Sequence, residues 1–172
     1  MSRIKFIDKY PGQVLRALSW KEPFASLMLR GKVETRVWDS KYFGWVLICA
    51  SKAHYSPSQI KAISGKEQYE RIEKFQQEKN WLFPCGKAIA VGKLHHSELM
   101  DNLMINPPKS PEDHKKNVEV NNAIAWATYV EPRSGLYMHH YMDVQPIAPF
   151  DWQGKLGWST VSEEVKSKII LL

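Results

Sequence analysis

Residues 32–38 alternate polar or aromatic side chains with small apolar ones in the order Lys-Val-Glu-Thr-Arg-Val-Trp. In a β-strand, alternate side chains share a face, so Lys32, Glu34 and Arg36 would lie together with Trp38. A carboxylate between two cations suits proton transfer, because the carboxylate can act as a base while the cations stabilise an oxyanion. A cation beside an indole also suits a nucleotide, by pairing with phosphate and stacking on the base. An ordinary solvated sheet face, with weak ion pairs, has the same pattern.

A short helix is predicted just before this strand. Pro23 suits the first helical position, where its missing N–H costs nothing. Phe24, Leu27 and Met28 follow at the spacing of one helix face. Gly31 is predicted to end the helix, because glycine adopts the left-handed C-terminal conformation without a Cβ penalty. In the strand, the face that we expect to be packed is formed by the intervening positions Val33, Thr35 and Val37.

Motifs in two parts of the chain carry a resemblance to a known family. The first part contains Ser19-x-Lys21-Glu22-Pro23-Phe24-Ala25, then Gly31-Lys32, Glu34-x-Arg36-x-Trp38 and Ile48-Cys49-Ala50-Ser51-Lys52. The second part is Trp152-x-Gly154-x-Leu156-Gly157-Trp158. In this order, from about residue 15 to 160, they resemble the signature elements of the ASCH domain family. Glu22 stands where the family pattern has a glutamine.

The resemblance implies a mainly β, α+β domain with a PUA-like fold, which is a small antiparallel β-barrel with peripheral helices. It also implies a basic, aromatic cleft associated with nucleic acids or nucleosides. The residues expected to bind there are Lys21, Arg36, Trp38, Lys52, Lys155 and Trp158. Relatives that hydrolyse acetylated cytidine use a lysine, a threonine and a later glutamate, and Glu34 stands at the threonine position. The chain departs from that pattern at Glu34, and the candidate catalytic residues, Lys32 and Glu34, follow instead from their suitability for proton transfer.

The length of 172 residues indicates one domain, residues 1–172, with a helical insertion at about 55–83. Ser56 and Pro57 have the types preferred at a helix N-cap and first position. Gly65 is expected to interrupt the insertion. At the end of the insertion, the residues expected to anchor its return to the barrel are Trp81, Leu82 and Phe83.

Composition narrows the class of partner. The net charge is +6, and the chain contains seven tryptophans and seven tyrosines, a combination typical of surfaces that attract phosphates and stack on bases. No apolar run approaches the ~20 residues of a membrane span, and no signal-peptide pattern precedes the first strand. We therefore expect a cytoplasmic protein without a membrane partner. The absence of P-loop, Gly-x-Gly-x-x-Gly and Gly-x-Ser-x-Gly motifs argues against nucleotide-driven motors, Rossmann dehydrogenases and α/β-hydrolases.

No metal or other cofactor is expected. Cys49 and Cys85 lack a metal-ligand spacing, and the apolar surroundings of Cys49 favour a small core residue. The pairs His95-His96 and His139-His140 cannot chelate through both rings, since adjacent strand residues point to opposite faces.

The second half of the chain is predicted to contain one long loop and several strands. The loop is expected at 106–122, and the strands at 86–94, 123–130 and 136–144. Pro146 and Pro149 are expected to restrict the next segment to an edge or a connection. Ser162 is predicted to start a short C-terminal helix.

Three functions remain open from the sequence. The first is a binding module for RNA or a modified nucleoside, with DNA as an alternative ligand. The second is a hydrolase that acts on a nucleoside amide or an RNA phosphodiester in the same cleft. The third is a protein-interaction scaffold built on the insertion, although no obligate protein partner is evident. Charge reversal in the cleft would impair the first two functions and leave the third intact.

Overall fold

The computed structural model describes residues 3–78 and 84–172. The expected anchors Trp81, Leu82 and Phe83 lie outside the described residues. The strands are β1 (Ile4–Lys5), β2 (Leu15–Glu22), β3 (Glu34–Arg36), β4 (Gly44–His54), β5 (Lys87–Leu99), β6 (Tyr137–Asp151), β7 (Ser159–Thr160) and β8 (Ile170–Leu171). The α-helices are α1 (Phe6–Lys9), α2 (Phe24–Leu27), α3 (Pro57–Gln76), α4 (Pro111–Thr128) and α5 (Glu163–Lys168).

The strands form one curled, half-barrel sheet in the order β1-β8-β6-β5-β4-β2-β7, and β3 pairs with β6. The expected mixed α+β, mostly β class is confirmed. Among the described residues, every strand pairing is antiparallel except that of β2 with β4, which are parallel, with Leu15 opposite Trp45. The connection between them contains α2 and β3, which gives the length that a parallel crossover requires.

Strand β4 is buried on both faces, as its apolar sequence predicts. Leu47 and Cys49 contribute to one core cluster with α1 and α5 residues. Val46 and Ile48 contribute to a second cluster on the opposite face. Cys49 is fully buried, and burial raises the pKa of its thiol, which agrees with a structural core role.

Helix α3 begins as predicted. The Ser56 side chain accepts a hydrogen bond from the backbone N–H of Gln59, and the Gln59 side chain completes a capping box. Gly65 has φ 72° and ψ 172°, and the helix is kinked there. Ile60 and Ile72 of α3 pack in a third core cluster, so this helix covers one end of the sheet.

The predicted loop at 106–122 and strand at 123–130 are wrong, because α4 occupies most of both. Ser110 caps this helix by accepting a hydrogen bond from Asp113 N, and Pro111 takes the first position. Ile124 and Thr128 lie one turn apart, and both are buried. The helical spacing and the Ser-Pro cap therefore outweigh the loop-like composition.

Strand β6 begins near the predicted start of 136–144 but continues to Asp151 through both prolines. The expectation that Pro146 and Pro149 restrict this segment to an edge or a connection is wrong, because β6 pairs there with both β5 and β8. Its register against β5 shifts between Ala88 and Ala90, so the ladder is irregular where the prolines lack an N–H. The carbonyl of Pro146 still accepts a hydrogen bond, from Leu172 N at 3.0 Å.

The other predicted elements are present. Strand β5 begins at Lys87, and α5 begins after Ser162, whose side chain accepts a hydrogen bond from Val165 N. Within the described ranges, no helix has both the length and the hydropathy needed to span a bilayer.

Candidate functional site

Residues 32–38, called the charged segment below, are held between α2, α4 and β6. A 3-10 helix, Met28–Arg30, extends α2 and ends at Gly31, which adopts φ 79°, as the sequence predicts. The backbone N–H of Lys32 then donates to Leu27 O at 3.2 Å, and that of Val33 donates to Ala127 O at 2.9 Å. Strand β3 continues the segment by pairing Glu34 with His139 of β6. The segment is therefore fixed at both ends by backbone hydrogen bonds.

A cleft of about 820 Å³ opens beside this segment. Most of the site residues predicted from sequence line it: Lys21, Lys32, Glu34, Arg36, Trp38, Lys52 and Lys155. Trp158 lies behind this lining, with its ring centroid 6.0 Å from that of Trp38 and 5.1 Å from that of Tyr42. Residues that are distant in the sequence are therefore brought to one concave surface.

The faces of the charged segment differ from the expectation. Lys32 and Glu34 are only 3% and 5% exposed, so they do not form a solvated sheet face. Val37, which we expected on the packed face, is 76% exposed. Val33 does pack against the third core cluster. The polar face points inward because helices α3 and α4 and strand β6 enclose the start of the charged segment.

The charged side chains of Lys32, Glu34 and Arg36 form a continuous series of ion pairs in the cleft. Lys32 Nζ donates to Glu34 Oε2 at 2.7 Å and to the carbonyl of Val33 at 3.1 Å. Arg36 Nε lies 3.1 Å from the other carboxylate oxygen, Glu34 Oε1. Burial lowers the pKa of Lys32, and the neighbouring Glu34 carboxylate opposes that shift. Both carboxylate oxygens are therefore occupied by cations.

Arg36 is oriented by backbone and aromatic contacts. Its terminal nitrogen donates to Ser19 O at 3.2 Å. Its guanidinium carbon lies 5.2 Å from the ring centroid of Trp20 and 5.8 Å from that of Trp38. Cations at these distances are attracted to the faces of aromatic rings. The same residue thus presents a fixed cation between two indoles.

His139 supports Trp38 from behind. His139 Nε2 lies 3.1 Å from the carbonyl oxygen of Trp38, and the rings are edge-to-face, with centroids 5.0 Å apart. Burial lowers the pKa of His139, so the ring is neutral near pH 7 and donates its Nε2 proton to that carbonyl. His139 is therefore a positioning residue for the indole.

Arg133 also lines the cleft and was missed by the sequence analysis. It lies in the connection between α4 and β6, far from every motif in the chain. Arg133 and Lys155 are exposed, and neither has a hydrogen-bond or ion-pair partner among the described residues. Lys21 Nζ instead lies 4.9 Å from the ring centroid of Tyr55, another lining residue. Only the fold reveals the contribution of Arg133.

Glu22 is fully buried and does not line the cleft. Its carboxylate accepts from Ser26 N at 3.0 Å and from Ser26 Oγ at 2.7 Å, across the first turn of α2. Burial nevertheless raises the pKa of Glu22. The residue therefore braces the helix that leads into the charged segment.

The remaining histidines lie outside the cleft. His96 is opposite His140 in the β5–β6 ladder, and His140 Nε2 lies 2.9 Å from Glu98 Oε1. In the part of the chain that the structure describes, no group of three His, Cys, Asp or Glu residues has the arrangement needed to hold a metal ion.

No protein-family model matches the chain, and no curated protein matches it.

Proposed function

We propose that this chain is an ASCH-like domain of the PUA-like class that binds RNA or a modified nucleoside in the cleft. The observation that carries the proposal is the cleft's excess of positive charge. Among the described residues, six cationic side chains line it, Lys21, Lys32, Arg36, Lys52, Arg133 and Lys155, against a single lining carboxylate, Glu34. Such a surface attracts phosphate groups.

Aromatic side chains support the same proposal. Trp20, Trp38, Tyr55 and Trp152 line the cleft among the cations. Stacking of one base on an aromatic ring contributes ~1–3 kcal/mol and requires no particular base. A cleft with both features can therefore hold the base by stacking while the cations orient the backbone.

A thermal-shift screen tests this function. Free nucleosides, short single-stranded RNAs and the matching DNAs would be added to the protein, and the unfolding temperature would be measured. A specific ligand at 100 times its Kd should stabilise the fold by ~2.7 kcal/mol. If no nucleoside or oligonucleotide binds at sub-millimolar concentration, the proposal is wrong.

Hydrolysis of a nucleoside amide is the second candidate, and the environment of Lys32 favours it. Burial lowers the pKa of this amine, and a lysine with a lowered pKa can accept or donate a proton nearer neutrality. The test is incubation with acetylated cytidine, followed by chromatography for released acetate. Turnover that is lost in Lys32→Met, with this variant shown by circular dichroism to be folded in the assay, but kept in Lys116→Glu would support an enzyme. If the wild type shows no turnover, hydrolysis is ruled out and only the binding function remains.

A further inference from the structure

We propose that the cleft holds an internal nucleotide of a single nucleic-acid strand, whose flanking phosphates are bound by Arg133 at one end and Lys155 at the other. This inference rests on the proposed function and deepens it, since it distinguishes a strand from a free nucleoside. Leu156, beside Lys155, would contact the base next to the one held in the cleft.

The two ends of the cleft can be assigned from the residues that pack beside Arg133 and Lys155. Val130 and Leu136, on either side of Arg133 in the chain, pack in the third core cluster with Phe24, whose ring lies 5.4 Å from Lys32 Nζ. Arg133 therefore belongs to the end where the charged segment begins.

Lys155 belongs to the end where the charged segment finishes. The neighbouring Gly154 lies against Ser19, because a Cβ placed on Gly154 would be 2.6 Å from Ser19 Oγ. Trp158, in the same loop, packs its ring against Trp38. The two ends of the cleft are thus marked by the start and the finish of residues 32–38.

The distribution of charge in the cleft matches that of a nucleic-acid strand. In the middle of the cleft, Glu34 is paired with both Lys32 and Arg36. Four lining cations, Lys21, Lys52, Arg133 and Lys155, are exposed and have no ion-pair partner in the described residues, and Arg133 and Lys155 lie at the two ends. Anionic groups are thus favoured at the two ends, and a less charged group between them. An internal nucleotide has this arrangement, because a phosphate flanks its base and sugar on each side.

Exposed apolar side chains at the cleft provide a second, independent observation. Leu156 is fully exposed, and Val37 is 76% exposed, yet both line the cleft. Nucleic-acid-binding proteins insert leucine and similar side chains between neighbouring bases, which unstacks them. A leucine beside an unpaired lysine is suited to separate the bound base from its neighbour while the lysine binds the phosphate between them. A free nucleoside has no neighbouring base for Leu156 to contact.

The test compares ligands of increasing length. Affinity for a nucleoside, its 5′-monophosphate, a trinucleotide and a short single-stranded RNA would be measured by calorimetry at several salt concentrations. The proposal predicts that the RNA binds at least about tenfold tighter than the nucleoside. It also predicts that Arg133→Gln and Lys155→Gln each reduce the salt dependence for RNA, by about 0.7 in the slope of log K against log salt. Both variants should weaken RNA binding more than nucleoside binding, because a nucleoside has no phosphate for either cation to contact.

Two further variants test the apolar contact of Leu156 and provide a matched control. Leu156→Ala should weaken RNA binding severalfold without changing the salt slope, because it removes no charge. Lys116→Gln, at an exposed site on α4, is the matched control and should leave both ligands unchanged. Equal affinity for nucleoside and RNA, or unchanged RNA binding in both Arg133→Gln and Lys155→Gln, would overturn the inference but leave the proposed function standing. If neither class of ligand binds the wild type, both proposals fail.

Discussion

Lys32 Nζ lies 2.7 Å from Glu34 Oε2, with only 1% and 6% of the two side chains exposed. Removal of two charges from water costs free energy that their attraction offsets only when the geometry is good and the remaining polar atoms are satisfied. Here Arg36 contacts the other carboxylate oxygen, and the carbonyl of Val33 accepts a second hydrogen bond from Lys32. The pair is therefore well matched, and either partner alone would be left as a buried charge.

We expect Lys32→Met to destabilise the fold by about 3–5 kcal/mol, because Glu34 loses one of its two cations in a buried site. The double variant Lys32→Met/Glu34→Met should recover much of that loss, since no buried carboxylate remains. Urea unfolding of both variants and the wild type gives the comparison. Equal stability of the single and double variants would show that the carboxylate left behind in Lys32→Met is not the cause of the lost stability.

Arg36→Glu should weaken RNA or nucleoside binding at least tenfold, or ~1.4 kcal/mol, because it replaces a phosphate-pairing cation with an anion. Arg36→Gln, which removes the charge without adding repulsion beside Glu34, should have a smaller effect in the same direction. Lys116→Glu on the exposed surface of α4 should change little beyond the salt dependence. A folded Arg36→Glu protein, verified by circular dichroism, that binds as well as the wild type would contradict the assignment of the cleft.

Glu22→Gln tests the raised pKa of the buried carboxyl. Because the folded-state pKa lies above the ordinary value of 4.5, the folded protein holds the proton more tightly than the unfolded chain does. The wild type therefore loses stability as the pH rises from 4.5 through the folded-state pKa, by at most about 1.4 kcal/mol per pH unit.

The glutamine cannot titrate, so the stability of Glu22→Gln relative to the wild type should rise as the pH rises from 4.5 to 7. Urea unfolding at a series of pH values measures the difference between the two proteins, in which the other titrating groups cancel. A difference that stays constant over this range would show that Glu22 does not titrate as proposed.

Gly154→Ala should displace the loop that carries Lys155 and Leu156. The new Cβ would lie 2.6 Å from Ser19 Oγ, which is too close unless one of the two residues moves. We expect severalfold weaker RNA binding, with little loss of stability because Gly154 is exposed. Ser19→Ala in the same protein removes the clashing oxygen and should restore binding. Failure of this second substitution to restore affinity would show that the close approach is not what positions the loop.

Much of the local structure could be predicted from neighbouring residues. The cap at Ser56, the left-handed Gly31 and the start of α5 after Ser162 all depend on side chains within a few positions of one another. Helix α4 was missed although Ser110 and Pro111 carry the same type of signal. Its polar composition resembled that of a loop, and only two of its residues are fully buried.

The parallel pairing of β2 with β4 could not be predicted from either strand alone. Both strands have apolar residues that suit a buried position, and neither pattern specifies the direction of its neighbour. The direction depends on the path of the connection through α2 and β3. It is therefore a property of the assembled sheet.

The candidate site, too, was predictable from the sequence in part, and the rest of it depends on the tertiary structure. The sequence by itself determined that Lys32, Glu34 and Arg36 lie close together, because alternate residues of one extended segment share a face. Only the tertiary structure decided that this face is buried, since the enclosing residues come from α3, α4 and β6. It also brought Arg133 and Lys155 to one cleft from separate connections. Contacts between distant segments form only when the chain packs, and no local pattern of residues encodes them.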